Sequence, residues 1–363
     1  MNLRSADYYL CRIAHRAPRA LKLIGDMETD FLRTRLDEIP IDRPIFITGL
    51  ARAGTTILLD LFSRLEPVGT HRYRDFPFLL APCWWSWWND RFGRTEGPIE
   101  RPHKDRIEIT RESPDAFEEP IWRYFFPFMN DPAALHVLTE EDDDERFDEF
   151  FTDHVRKVLL LRGKTRYVSK GNYNVTRLRY LARLFPDARF VIPVRHPVDH
   201  VGSLVRQHRL FTRYAEQDPR VPEYLRAAGH FEFGPQRMPI NVEPEASARI
   251  AAAWAAGDDA TGYAIGWRVV YAHADAVASD DELEGRVRFV RYEDLCARPR
   301  ATMKDLLRFC GLGEHVHELD DALARISAPP RRDESDDVRV QVWCETRQVA
   351  ERFGYDETGR INP

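Results

Sequence analysis

The stretch Arg43–Leu65, RPIFITGLARAGTTILLDLFSRL, carries the reading of the fold. Ile45 to Thr48 form a short apolar run of the kind that makes a buried strand, and a glycine-containing turn follows at once. From Ile57 to Leu65 the apolar residues return at three- and four-residue spacings, which predicts a helix. A strand that leads through a glycine turn into a helix start is an anion-binding design. Its glycines permit a tight turn, its N–H groups converge, and the positive end of the helix dipole favours negative charge. Gly49 and Gly54 are five apart, as in a Walker A loop, but Thr55 and Thr56 stand where that motif has Lys followed by Ser or Thr. Arg52 can supply the missing cation, through a planar fork of donors. An αβ connection without a ligand is the alternative for the loop taken alone.

The same rhythm continues outward from this loop. Arg166–Ser169, Ala188–Val194 and Val287–Val290 are expected strands; the second is apolar almost throughout, as when helices cover both sheet faces. Helices are expected over Val175–Leu184, from Pro197 or Val198 onward, over Ala246–Ala276 as one piece, and over Arg300–Cys310. Short apolar strands, most followed by helices, predict an α/β fold with a mainly parallel central sheet flanked by helices. Residues 1–40 read as a helical extension of one or two amphipathic helices. Residues 41–363 read as a single domain, with an aromatic- and proline-rich insertion of loops and short helices around 68–134. The acidic run Glu140–Glu145 reads as a solvated helix start; it holds no histidine that would suggest a metal site.

Composition narrows the class. The 363 residues are 43% hydrophobic and 31% charged, an ordinary globular mixture, and the formal net charge of −6 gives no global pull toward nucleic acid. The five cysteines are dispersed without a CxxC pair, which argues against a zinc or disulfide framework and makes a reducing cytoplasm the expected setting. The N-terminal residues are charged throughout and lack the apolar core of a secretory signal. The strongest apolar run, Phe76–Trp88, falls well short of the roughly 20 residues of a spanning helix. Attachment to a membrane surface stays open.

A second anion signal lies in Val191–His208, VIPVRHPVDHVGSLVRQH. Arg195 stands just past a strand, Pro197 suits the first helical position, and Ser203 follows on the helix. Arg195 and Ser203 either address a second phosphate, or Arg195 pairs with Asp199 while Ser203 lines a packed helix. With the first loop they make two anion sites at the carboxyl ends of parallel strands, where open α/β sheets bind ligands.

Four blocks in this order, FITGLARAGTT, SKGNYNVTRLRYLARLFPDARF, FVIPVRHPVDHVGSLVRQH and VRFVRYEDLCARPRATMKDLLRFCGL, closely resemble the sulfotransferase family, particularly its broad bacterial branch. The resemblance runs from about Pro44 to Leu312. It implies a P-loop-like sulfotransferase fold, an enzyme, and 3′-phosphoadenosine 5′-phosphosulfate as donor of a sulfuryl group to an acceptor hydroxyl or amine. On that resemblance Arg52, Ala53, Gly54, Thr55 and Thr56 surround the 5′ phosphosulfate, and Arg195 and Ser203 hold the 3′ phosphate. The family's RKG-type segment near the C-terminus is absent, and Arg331 and Arg332 are the residues that could replace its anion contacts. Lys170 is a further cation at a strand end, and Asn172 or Asn174 could orient donor or acceptor. The family's YEDL stretch, Tyr292–Leu295, reads as structural. No metal is implied.

For the base that takes the acceptor proton, His71 is the first expectation, because an ordinary imidazole pKa suits the task. Asp75 is a rival, since some relatives place an acidic residue there, as is the Glu118–Glu119 pair. That block and His103 also have counterparts in bacterial relatives. Trp84, Trp85, Trp87 and Trp88, with Tyr73, Phe76 and Phe78, either cover one end of the sheet or form an acceptor pocket; the second reading suggests a small-molecule or lipid-like acceptor, and a membrane-facing patch is a third. Two other classes stay open on the residues alone: a nucleotide-dependent phosphotransferase or NTPase, which the missing Walker lysine disfavours, and a non-catalytic nucleotide-binding protein.

Overall fold

The computed structural model describes residues 3–92, 97, 99–100, 102–103, 108–327 and 334–357. The strands, in chain order, are β1 (Ile45–Ile47), β2 (Val68–Gly69), β3 (Ile99–Glu100), β4 (Glu108–Ile109), β5 (Arg166–Lys170), β6 (Arg189–Val194) and β7 (Val287–Arg291). Five of them form one sheet in the order β2-β5-β1-β6-β7, parallel throughout, while β3 and β4 pair as a separate antiparallel ribbon. The mainly parallel sheet flanked by helices is the architecture expected from the sequence.

Burial of both faces explains why the strands read as apolar runs. Phe46, Tyr167 and Phe190 point to one side and join a core with Trp122, Phe147, Phe151 and Tyr271. Their neighbours Ile45, Ile47, Val168 and Val191 point to the other, against Leu58, Phe62, Met303 and Leu307. This two-residue alternation across one pleated layer is what strands enforce. Phe46 stacks on Phe185 and Phe190, with ring centroids 5.9 and 5.8 Å apart.

Two helices, Ser5–Arg16 and Pro18–Asp37, precede β1. The second is fixed to the helix Glu145–Arg162 by a buried ion pair: Lys157 Nζ lies 3.1 Å from Glu28 and donates to the Gly25 carbonyl at 2.8 Å. The acidic run ends as a helix start, with Asp144 accepting from the N–H groups of Arg146 and Phe147. The expected single helix Ala246–Ala276 is instead two, Pro244–Ala255 and Asp259–Ala278, packed on each other. The chain turns at Gly257, and Asp258 caps the second helix by accepting from Thr261 N–H. The alanine-rich pattern spans both pieces and so conceals the break. The expected helix from Val175 begins as a tight turn, Asn172–Thr176, before the helix proper at Leu178–Leu184.

Candidate functional site

The loop between β1 and the helix Thr55–Ser63 has an unusual backbone. Gly49, Arg52 and Gly54 all have positive φ, at 122°, 73° and 106°. For arginine this conformation is uncommon and is held only where the surroundings impose it. Gly54 opens the helix, and a Cβ there would come within 2.8 Å of the Tyr292 ring, so neither the φ nor the space admits a side chain. The first-turn N–H groups of this helix have no intrahelical acceptors and are presented at the loop.

The second predicted anion signal lies beside the first. β1 and β6 are adjacent, and Thr48 N–H donates to Val191 O at 3.0 Å. Arg52 Nε reaches Ser203 Oγ at 3.4 Å, and Arg195 Nη1 reaches the Arg52 carbonyl at 3.4 Å. The helix Pro197–Gln217 begins at the proline the sequence suggests. Arg195 lies over the Tyr292 ring at 4.9 Å, and among the described residues no carboxylate, Asp199 included, is within ion-pair distance of it. Tyr292 therefore backs both Gly54 and Arg195, while Glu293 accepts from His196 N–H at 3.0 Å and from Tyr355 at 2.7 Å. His200, buried beneath the loop, bonds the Ala51 carbonyl at 2.8 Å. Burial, with some help from Arg195 and Arg52, pushes its pKa down to about 3, so it stays neutral and braces the loop.

Past the C-terminal end of β5 the chain adds a third group. Gly171 N–H donates to the Ile47 carbonyl at 3.0 Å, and Thr48 Oγ1 lies 3.4 Å from the Asn172 carbonyl. Asn172 Nδ2 donates to Glu232 Oε1 at 2.7 Å, and Glu232 Oε2 faces His230 Nδ1 at 2.9 Å. Asn174 instead turns inward to Glu118 at 3.1 Å. His103 bonds Gln207 on the helix that carries Ser203, and its ring lies 6.0 Å from His230.

The other expected base residues lie elsewhere. His71 is 1% exposed, its Nε2 faces His154 Nε2 at 3.1 Å, and its Nδ1 is 3.7 Å from Asp75. Asp75 is paired with Arg162 and accepts from Arg72 N–H at 2.8 Å. Burial would raise its carboxyl, but the neighbouring His71 and Arg162 hold it at about 2. Glu118 accepts from Tyr167 and Asn174, and Glu119 is clamped between Arg123 and Arg177, each at 2.8 Å. All four side chains are thus buried and held in polar pairs. Arg331 and Arg332 lie outside the described residues.

The tryptophans occupy the helix Pro82–Phe92. Trp85 stacks on Trp88 and donates to the Arg74 carbonyl at 2.9 Å, whereas Trp87 is 64% exposed. None of them lines the apolar cavity beside the phosphate loop, which is formed by Leu50, Ala51, Leu204, Trp254, Gly262 and Trp267, with Glu232 as its one charged residue. The His230–Glu232 pair escaped the sequence reading, which took Tyr292 only as part of a structural stretch. The available signal was a His-x-Glu between two glycines, GHFEFG, in a stretch with no strand or helix period.

The glycine loop, the Arg195–Ser203 pair and the His230–Glu232 pair lie at one end of the parallel sheet. The sulfotransferase family model matches residues 44–233, just over half of the chain, and the chain belongs to that family. No curated protein matches the sequence. Among solved structures, sulfotransferase STF9 from Mycobacterium avium superposes with a TM-score of 0.52 and 15% identity, covering 92% of this chain and 83% of that one. Sulfotransferase STF1 from Mycobacterium tuberculosis H37Rv gives a TM-score of 0.46 at 16% identity, over 91% and 81%. The first of these likenesses supports the fold. Among the described residues no helix is long and apolar enough to cross a membrane.

Proposed function

We propose that the protein transfers a sulfuryl group from 3′-phosphoadenosine 5′-phosphosulfate to a hydroxyl or amine of a small apolar acceptor. The observation that carries this reading is the junction of two anion sites through Arg52, whose side chain meets Ser203 and whose carbonyl meets Arg195. Two phosphate-binding groups this close suit a nucleotide phosphorylated at both ends. Arg52, with Ala53, Gly54, Thr55 and Thr56 and the N-terminus of their helix, would hold the phosphosulfate. Arg195 and Ser203 would hold the 3′ phosphate. When bound, the donor supplies an electrophilic sulfur and a phosphate leaving group.

Arg52 and the N–H groups at the start of the helix would stabilise charge on the transferring group and the leaving oxygen. The cavity at Leu50 and Trp267 favours an apolar acceptor body. A peripheral membrane contact would use the exposed apolar side chains Met27, Phe31, Trp87 and Phe92; sedimentation with phosphatidylcholine vesicles, lost on Phe31→Ser with Trp87→Ser, tests it.

The deciding experiment is calorimetry with 3′,5′-bisphosphoadenosine and 5′-AMP. The bisphosphate is expected to bind more tightly, with the preference reduced in R195A. Equal affinities, or magnesium-dependent ATP hydrolysis in place of sulfuryl transfer, would overturn the reading.

A further inference from the structure

Beside the loop end of the sheet, the partly exposed His230 forms an imidazole–carboxylate pair with Glu232. We propose that His230 is the general base of the transfer and that Glu232 is its positioning residue, with the acceptor hydroxyl presented from the apolar cavity that Glu232 lines. This rests on the sulfuryl-transfer reading above.

Geometry carries the assignment. Glu232 Oε2 lies 2.9 Å from His230 Nδ1 and fixes the tautomer with the proton on Nδ1, so that Nε2 is the lone-pair nitrogen. His230 Nε2 has no hydrogen-bond partner among the described residues, and the side chain keeps 30% of its surface exposed. Glu232 is itself held from the far side by Asn172 Nδ2 at 2.7 Å, and its backbone carbonyl accepts from Tyr263 OH at 3.0 Å. Asn172 stands two residues past the end of β5 and its carbonyl contacts Thr48, the residue before the glycine loop. The pair is thereby tied to the same sheet end as Arg52.

The charged and titratable groups around His230 are Glu232, Asp115, Lys170 and His103. Burial would lower the imidazole pKa, but the charge and hydrogen bond of Glu232, aided by Asp115, outweigh it and raise the pKa above its ordinary value. Burial likewise opposes ionisation of Glu232, yet His230 and Asn172 bring its pKa to about 2. Glu232 is therefore a fixed carboxylate at any working pH, and it makes His230 a stronger base than a free imidazole.

In the transfer, His230 Nε2 takes the proton of the acceptor O–H as that oxygen forms its bond to sulfur. The bond from sulfur to the 5′-phosphate oxygen breaks, and its electron pair leaves with 3′,5′-bisphosphoadenosine. His230 ends protonated beside Glu232, which stabilises the imidazolium, and then returns the proton to water. No oxidant or metal enters the balance.

The test has three readings on the intact protein. Histidine-ring NMR titration is expected to show His230 above the ordinary imidazole value of about 6.5, and lower in E232Q. Single-turnover transfer from sulfur-labelled donor into a solvent extract of the source cells should fall roughly 10²–10⁴-fold in H230A, while calorimetric affinity for 3′,5′-bisphosphoadenosine is unchanged. The acid limb of the wild-type rate profile should move to lower pH in E232Q, a shift that a purely structural carboxylate would not cause. H230N, which keeps a side-chain donor for Glu232 but has no titratable nitrogen, should lose transfer as alanine does. Near-normal transfer by H230A or H230N, or an unmoved acid limb in E232Q, would overturn the assignment of base. Failure of the wild type to bind the bisphosphate or to label any product would instead overturn the sulfuryl-transfer reading itself.

Discussion

At the end of the edge strand β2, His71 stands 3.7 Å from Asp75; past the end of β5, His230 stands 2.9 Å from Glu232. In sequence the first pair is the more attractive, since it follows the phosphate-loop helix directly. In space it is closed. His71 meets His154 on one side and Asp75 on the other, and Asp75 is in turn paired with Arg162. Burial and the neighbouring charges of His71 and Lys157 hold the His154 pKa well below its ordinary value, so a proton placed there is disfavoured. The second pair leaves the His230 side chain 30% exposed. A general base needs a carboxylate behind it and an accessible face before it, and of these two histidines His230 has both.

Substitution of Asp75 should give the largest effect, on stability. D75A leaves Arg162 as a buried, unpaired charge and should cost about 3–5 kcal/mol, read by urea unfolding. Unchanged stability with lost transfer would return Asp75 to the candidates for catalysis. R195A comes next. Removing a charge-assisted contact, worth about 1.5–3 kcal/mol, should weaken 3′,5′-bisphosphoadenosine binding roughly 10- to 100-fold and leave 5′-AMP binding much less affected. Calorimetry on both nucleotides checks this, and equal losses for the two would remove Arg195 from the 3′-phosphate site. S203A removes one hydroxyl donor to the phosphate while Arg195 remains, and calorimetry should show a smaller loss of bisphosphate affinity than in R195A. An H71Q variant should be the mildest in catalysis, with single-turnover transfer close to wild type whatever its stability. A loss as large as that of H230A would collapse the contrast between the two pairs.

Acid stability should separate the same two regions. The Asp75 pKa is depressed, so its contribution is complete above the unfolded carboxyl value of about 3.9 and is lost as pH falls toward about 2. Depression of the His154 pKa works in the same direction from a higher start: its contribution is present above about 6.5 and declines below it. The His230 pKa is raised, so its stabilising contribution is present below about 6.5 and disappears as pH rises through the raised value. Chemical unfolding followed from pH 3 to 9 should therefore show H154Q flattening the acid loss below about 6.5, and H230N losing stability below that value while converging with the wild type as pH rises through the raised His230 value.

The loop, four of the five sheet strands and the helix start at Pro197 were legible because each is a local pattern, whereas the two-residue strand β2 and the ribbon β3–β4 are too short to carry one. An apolar run of strand length, a glycine that must take positive φ and a proline that fits a first turn carry their reasons within a few residues. The alanine-rich pattern misled across Gly257, since small residues at every position offer no period by which to locate a turn. Tyr292 was read as structural within its motif, yet its ring is what excludes a side chain at position 54 and supports Arg195.

What the sequence determined by itself was the sheet class, the strand–glycine turn–helix around Arg52, and the candidacy of Arg195 and Ser203, because local backbone chemistry dictates all of these. Only the tertiary structure decided which carboxylates are consumed. Glu119, Asp75 and Glu232 are equivalent on the page, and each acquires its role from partners 58, 87 and 60 residues away, Arg177, Arg162 and Asn172. Whether a histidine is a packed ring or a base depends on what closes over it. That is a property of how distant segments are brought together, and no neighbouring residue encodes it.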